Sequence, residues 1–271
     1  MRKNNKDTEG RSWNTFFIYA ILVIFVILIS LTVKGFFILQ KSRFDGKHHF
    51  VLAIAKEGKV NEVIVFNPPS HSLVLLKLEA SKLPLSSIGR ILGIAPDGSI
   101  ESAKDFLAGE DIEGALMASL LHFASIKTNL TALDMGQLFL FSKNISSDDK
   151  VVKELRSLQE ESDTDEIIAS FFGDSTVVSE GVNIQIVNAS DMLGMGKRFE
   201  RVVSNLGGNV VSVSTAHRKE QLSKINYSGT DTYTLKKMIR LFNFPVSRRD
   251  EKGAPNMTII IGEDSKNAKN F

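Results

Sequence analysis

Residues 12–33 form a run of 22 positions without a charge, and residues 16–29 hold only apolar side chains and Tyr19. A helix needs about 20 such residues to cross the hydrocarbon core of a bilayer. A soluble helix is rarely apolar on every face. The pattern therefore predicts a transmembrane anchor over residues 16–39, preceded by a tail over residues 1–15, with Trp13 and Tyr19 near an interface. A cleaved signal peptide is the alternative, but its apolar region is usually about 7 to 15 residues and ends in a small-x-small site. Here the run is longer, and Gly35 is followed by Phe36, Phe37, Ile38 and Leu39. The reading is an uncleaved anchor with soluble material after it.

Beyond the anchor the periodicity changes. Residues 50–55 and 62–66 are short, apolar and β-branched around Lys56-Glu57-Gly58-Lys59, which predicts a hairpin. A third strand is expected over residues 72–78, after the turn cluster Asn67-Pro68-Pro69-Ser70-His71. Residues 99–107 and 111–124 read as helices, the second on Ile112, Leu116, Leu120 and Phe123. A strand over 129–133, a helix opened by Asp134 with Gln137, a helical stretch over 148–158 and a start at Asp163 complete this region. The last 90 residues or so predict β-α-β-β-α-β. Strands fall at 182–187, 210–213, 223–227 and 257–261, and helices carry the stripes Met192, Met195, Phe199, Val202, Val203, Leu206 and Leu235, Met238, Ile239, Phe242. The fold class is α/β (α+β): an N-terminal transmembrane helix, a mixed middle domain and a small sheet covered by two helices.

Charge sharpens the division. Residues 148–180 hold 3 basic and 10 acidic side chains, net −7, whereas residues 181–271 hold 14 and 8, net +6. The jump predicts a boundary near Gly181. The whole chain, at +2, is too weakly charged to imply nucleic acid. With no cysteine it has no disulfide, thiolate zinc site or cysteine nucleophile. Lysines and arginines flank the anchor four against four (Arg2, Lys3, Lys6, Arg11; Lys34, Lys41, Arg43, Lys47), which leaves orientation undecided by charge.

Candidate chemistry is sparse. Gly194-Met195-Gly196-Lys197 lacks the spacing of a phosphate loop and reads as tight turn-to-helix packing. His48-His49 lacks a third metal ligand at useful spacing and reads as a juxtamembrane stalk. Asp97-Gly98 reads as a turn, and no cofactor is called for. The feature with functional content is basic: Lys236, Lys237 and Arg240 on the polar side of the second C-terminal helix, with Arg248 and Arg249 after it, are candidate polymer-binding residues.

The C-terminal unit, residues 181–264, resembles the LytR C-terminal domain. The resemblance lies in Ile184-Gln185-Ile186-Val187-Asn188-Ala189, Gly194 opening a helix, Leu206-Gly207-Gly208-Asn209-Val210, and the ending Thr258-Ile259-Ile260-Ile261-Gly262-Glu263-Asp264. A tail over 265–271 follows. Residues 48–175 resemble a degenerate LytR-CpsA-Psr domain through Phe50-Val51-Leu52-Ala53-Ile54, Val63-Ile64-Val65-Phe66 and Asn129-Leu130-Thr131-Ala132-Leu133-Asp134. The resemblance implies a bacterial cell-envelope protein with a cytoplasmic N-terminus and extracytoplasmic domains. Active members transfer lipid-pyrophosphate-linked glycopolymers to peptidoglycan, with arginines clamping the pyrophosphate and acidic residues serving a magnesium ion or the acceptor. Against their Arg-Ser-Asp-Thr and Pro-Arg-Asp stretches this chain aligns Lys59-Val60-Asn61-Glu62 and Glu79-Ala80-Ser81. The degenerate positions are thus Lys59, Asn61, Ala80 and Ser81. Lysine lacks the bidentate guanidinium fork, and asparagine and serine carry no charge for a hard cation. The expectation is a non-catalytic, membrane-anchored protein that binds or scaffolds anionic cell-wall polymer or envelope proteins. A divergent transferase and a generic bitopic assembly factor remain as alternatives.

Overall fold

In the computed structural model, residues 7–78, 83–102, 111–155, 161–249 and 256–267 are described. The chain divides into two units, Met1–Ser42 and Arg43–Phe271. The first contains the 35-residue helix α1 (Asp7–Lys41). Its stretch Phe16–Lys41 is long and apolar enough to cross a membrane, and its large apolar side chains stand exposed. At 1.5 Å per residue those 26 residues reach about 39 Å, more than a hydrocarbon core of about 30 Å needs.

The second unit is mixed α/β. Strands β1 (Phe50–Lys56), β2 (Lys59–Asn67) and β3 (Ser72–Leu78) form an antiparallel meander. Short β4 (Leu83–Pro84) pairs with β2, and α2 (Ile88–Leu92) follows. Strand β5 (Gly98–Ser102) runs parallel beside β1. Then come α3 (Ile112–Leu121), β6 (Lys127–Thr128), α4 (Ala132–Lys143) and β7 (Lys150–Leu155), the last parallel to β3. The order β6-β5-β1-β2-β3-β7 makes one sheet.

Both faces of this sheet are buried, so β1 is apolar at consecutive positions rather than alternate ones. Phe50, Leu52, Ile54, Ile64, Phe66, Leu73 and Leu75 pack under α3 and α4. Val51, Ala53, Val63, Val65, Val74 and Leu76 pack on the opposite side, against α2 and α5 (Glu161–Phe172).

The remaining elements are α6 (Ser175–Glu180), β8 (Asn183–Asn188), α7 (Met195–Asn205), β9 (Asn209–Thr215), β10 (Lys224–Tyr227), α8 (Tyr233–Phe242), β11 (Val246–Arg248) and β12 (Met257–Ile261). They form a second sheet, β11-β10-β12-β8-β9. Here alternation holds: Ile184, Ile186, Met257, Ile259 and Ile261 face one core with α7 and α8. Val177 of α6 joins that core, so packing on the second sheet begins upstream of Gly181.

Several expectations are corrected. Residues 99–102 are strand rather than helix, because Ile100 alternates into the core while the backbone pairs with β1. A side chain at Gly98 would meet Leu130 at 2.6 Å, which fixes glycine at that strand's start. Residues 103–107 lie outside the described residues. Residues 150–155 are strand rather than helix, since β-branched Val151 and Val152 suit the edge beside β3; residues 156–158 are outside the described residues. In place of a strand over 129–133, residues 129 and 130 bend and α4 begins at Ala132, with Thr131 rather than Asp134 as its cap. Asp134 is instead the third residue of the capping box, bonding back to Thr131 N at 2.7 Å.

Candidate functional site

The aligned positions converge only in part. Between Ile54 and Ala55 the β1–β2 register shifts, leaving Asn61 as the bulged residue of β2. Bulges redirect a side chain out of the regular alternation. Asn61 is half-buried, and its Oδ1 has no hydrogen-bond partner among the described residues. Lys59 is exposed at the end of the hairpin, opposite Pro84 of β4. Ala80 and Ser81 lie outside the described residues. Beside the hairpin is a depression of about 440 Å³ whose lining includes Gly58, Pro84, Leu85, Ser99, Glu101 and Asn129. Its lining carboxylate Glu101 has Lys127 Nζ at 3.5 Å. These groups can accept and donate single hydrogen bonds, but among the described residues the lining offers no guanidinium for a pyrophosphate. Among the described residues, no group of three His, Asp or Glu side chains is placed to hold a metal ion.

The basic residues divide. Lys236 and Arg240 are exposed on α8, Arg248 on β11, and Arg249 just after it. Lys237 is not available to a polymer, which corrects its assignment: it is 2% exposed. Its Nζ donates to Asp97 Oδ2 at 2.8 Å and to the His49 carbonyl at 3.0 Å. The helical wheel assigned Lys237 to the polar face, and that face is covered here by residues 43–49 and Asp97.

Around this ion pair the middle and C-terminal elements interlock. Asp97 Oδ2 also accepts from Val51 N at 2.9 Å, while Arg43 Nη1 donates to the Asp97 carbonyl at 2.9 Å. Tyr233 Oη donates to Asp174 Oδ2 at 2.7 Å; burial and that carboxylate raise the phenol's pKa. Glu180 accepts from Thr234 Oγ1, Thr234 N and Tyr233 N, and these bonds outweigh burial to hold its pKa below the ordinary value. On the neighbouring flank Arg201 Nε pairs with Asp165 at 2.7 Å, and Asn205 Nδ2 donates to the Gly93 carbonyl at 3.2 Å.

The His48-His49 stretch is no stalk. His49 is buried, and neither ring nitrogen has a hydrogen-bond partner of ordinary geometry among the described residues. Burial, reinforced by the Lys237 charge and only partly offset by Asp174 and Asp97, pushes its pKa down to about 4. Phe44 belongs to the core, with rings at 5.4 Å from Phe50 and 6.0 Å from Phe141. Residues 43 and 44 are held by Asp134, which accepts from both backbone N–H groups at 2.7 and 2.9 Å. His48 stacks on Tyr233 at 4.1 Å. Sequence reasoning missed Arg43, His49, Asp97, Asp174 and Tyr233 because their partners lie 46 to 197 positions away.

No family model, curated protein or solved structure matches the chain.

Proposed function

We propose that this is a single-pass membrane protein of the bacterial cell envelope. In this reading its unit from Arg43 onward faces outward and binds or scaffolds anionic wall polymer or assembly partners, without group-transfer chemistry of its own. The N-terminal tail is then cytoplasmic. The reading rests on the resemblance to LytR-CpsA-Psr proteins carried by residues 50–66, 129–134 and 184–264. The observation that carries the membrane part is α1, whose span-length apolar surface has no other use in water. Support for polymer binding comes from Arg248 and Arg249, exposed on and just after the β11 edge, together with exposed Lys236 and Arg240. Lys59 and half-buried Asn61 do not supply the charges a lipid pyrophosphate and a divalent ion require.

The test is co-sedimentation of the detergent-solubilised full chain with isolated cell wall. Arg248→Glu with Arg249→Glu is expected to lower the bound fraction severalfold, and binding by the parent is expected to weaken as salt screens exposed charge. Unchanged sedimentation of a folded double variant overturns the polymer assignment. Magnesium-dependent turnover of a lipid-pyrophosphate-linked glycan, abolished in Asn61→Ala, would establish the transferase alternative instead.

A further inference from the structure

The structure places one side of α8 against the first residues of the second unit. Arg240 Nη1 donates to the Arg43 carbonyl at 2.9 Å, Tyr233 stacks on His48, and Lys237 between them reaches the His49 carbonyl. Positions 233, 237 and 240 fall on one helical stripe, and Lys236 flanks it one turn before Arg240. Residues 200 positions apart in sequence thus form one group of cations: Arg43, Lys47, Lys236 and Arg240, of which the last three are exposed. The nearby carboxylates are already engaged. Asp45 Oδ1 accepts from Lys47 N and His48 N, its Oδ2 meets His48 Nδ1 at 2.6 Å, and Glu180 is held by Tyr233 and Thr234.

Chain connectivity fixes where such a group is met. The span ends at Lys41 and Arg43 is two residues on, so their Cα atoms are separated by about 7 Å at most. That reach is comparable to the headgroup layer, which takes up about 5 to 8 Å on each side of the hydrocarbon. Helix α8 therefore carries its cations to residues 43–49, the first residues of the second unit.

We propose that Lys47, Lys236 and Arg240, with Arg43, form a collar that binds anionic phospholipid headgroups, so that α8 rests on the membrane surface. Phosphate esters are the fitting occupant because the collar offers several cations, and each such cation near an anionic leaflet strengthens attachment roughly fivefold. The inference needs α1 to span a membrane but not the wall-polymer reading.

The absence of cysteine allows a single label. The full chain carrying Lys47→Cys with a spin label is reconstituted in vesicles of phosphatidylcholine alone and of phosphatidylcholine with phosphatidylglycerol. The collar predicts that collisions of the label with a water-soluble nickel chelate fall about threefold or more on the anionic vesicles. Lys236→Glu, an exposed change outside the Arg43 contact, should remove most of that fall, whereas Arg248→Glu should leave it intact. Because Arg240 bonds Arg43, Arg240→Gln, which keeps a donor, serves as the milder partner variant. Equal accessibility on both vesicles, or a fall that survives Lys236→Glu, overturns the proposal. So does protection that appears on neutral vesicles only when anionic wall polymer is added.

Discussion

The two sheets of the second unit are covered differently, and the difference decides what each strand looks like. The first has helices on both faces, so β1 buries Phe50, Val51, Leu52, Ala53, Ile54 and Ala55 in succession. The second has α7 and α8 on one face, so β8 and β12 alternate buried and half-exposed positions. One-sided cover leaves a face whose residues are free to vary. Two-sided cover leaves no such freedom in the central strands. Where the two halves meet, polar pairs join apolar contacts: the Lys237–Asp97 pair, Tyr233 on Asp174 and Arg201 on Asp165 lie beside Val51, Ile94 and Phe172 facing Val202, Leu206 and Leu241.

The sharpest way to break this picture is at the junction. Asp97→Ala removes the partner of a lysine that is 2% exposed and also strips Val51 N of its acceptor. An uncompensated buried charge costs about 3–5 kcal/mol, and the unfolding midpoint of both halves should fall together. Two separate transitions, one unaffected, would mean the halves are independent. Replacing both partners, Asp97→Leu with Lys237→Met, should cost much less than Asp97→Ala alone. Denaturant titration of the three variants measures this.

Next comes the contrast between sheets. Phe66→Ala, in the doubly covered sheet, is expected to cost about 3–5 kcal/mol, whereas Ile260→Ala, on the open face of the second, should cost about 1 kcal/mol. Equal losses would place cover over that open face.

Acid tests the junction differently. His49 has a folded pKa of about 4 against an ordinary 6.5, so the folded state binds fewer protons than the unfolded one between these values. Its contribution is fully present above pH 6.5 and is lost as pH falls toward 4, about 3 kcal/mol in all. The groups facing it, Lys237, Asp174 and Asp97, set the sign: Lys237 adds to the depression and the carboxylates oppose it. Melting curves across that range should flatten in His49→Leu. An identical acid slope in parent and variant would remove His49 from the account. The smallest effect belongs to the α4 cap, where Thr131→Ala should cost about 1 kcal/mol in chemical denaturation.

Legibility in the sequence follows the same division. The anchor, the β1–β2–β3 meander, α3, α4 and the C-terminal order were readable because each has a clean period or a turn signal. β5 and β7 were not, since Ser99-Ile100-Glu101-Ser102 and Val151-Val152-Lys153-Glu154 hold too few apolar positions to separate period 2 from 3.6. The short α6 and β11 carried no such signal either. At the candidate sites the types of residue were visible but their neighbours were not. Lys236 and Lys237 look alike on a helical wheel, yet one is exposed and the other buried against Asp97. Nothing local to Phe44 or His49 reveals Asp134 or Lys237 as partners.

The central claim, a membrane-held protein whose folded unit faces outward, is open to one direct measurement. Single cysteines are introduced into this cysteine-free chain at Ser247, in exposed β11, and at Asn5 in the tail. A membrane-impermeant maleimide is then applied to intact spheroplasts. The account predicts labelling of Ser247→Cys on intact spheroplasts and of Asn5→Cys only after lysis. Labelling of Asn5→Cys with protection of Ser247→Cys would contradict it.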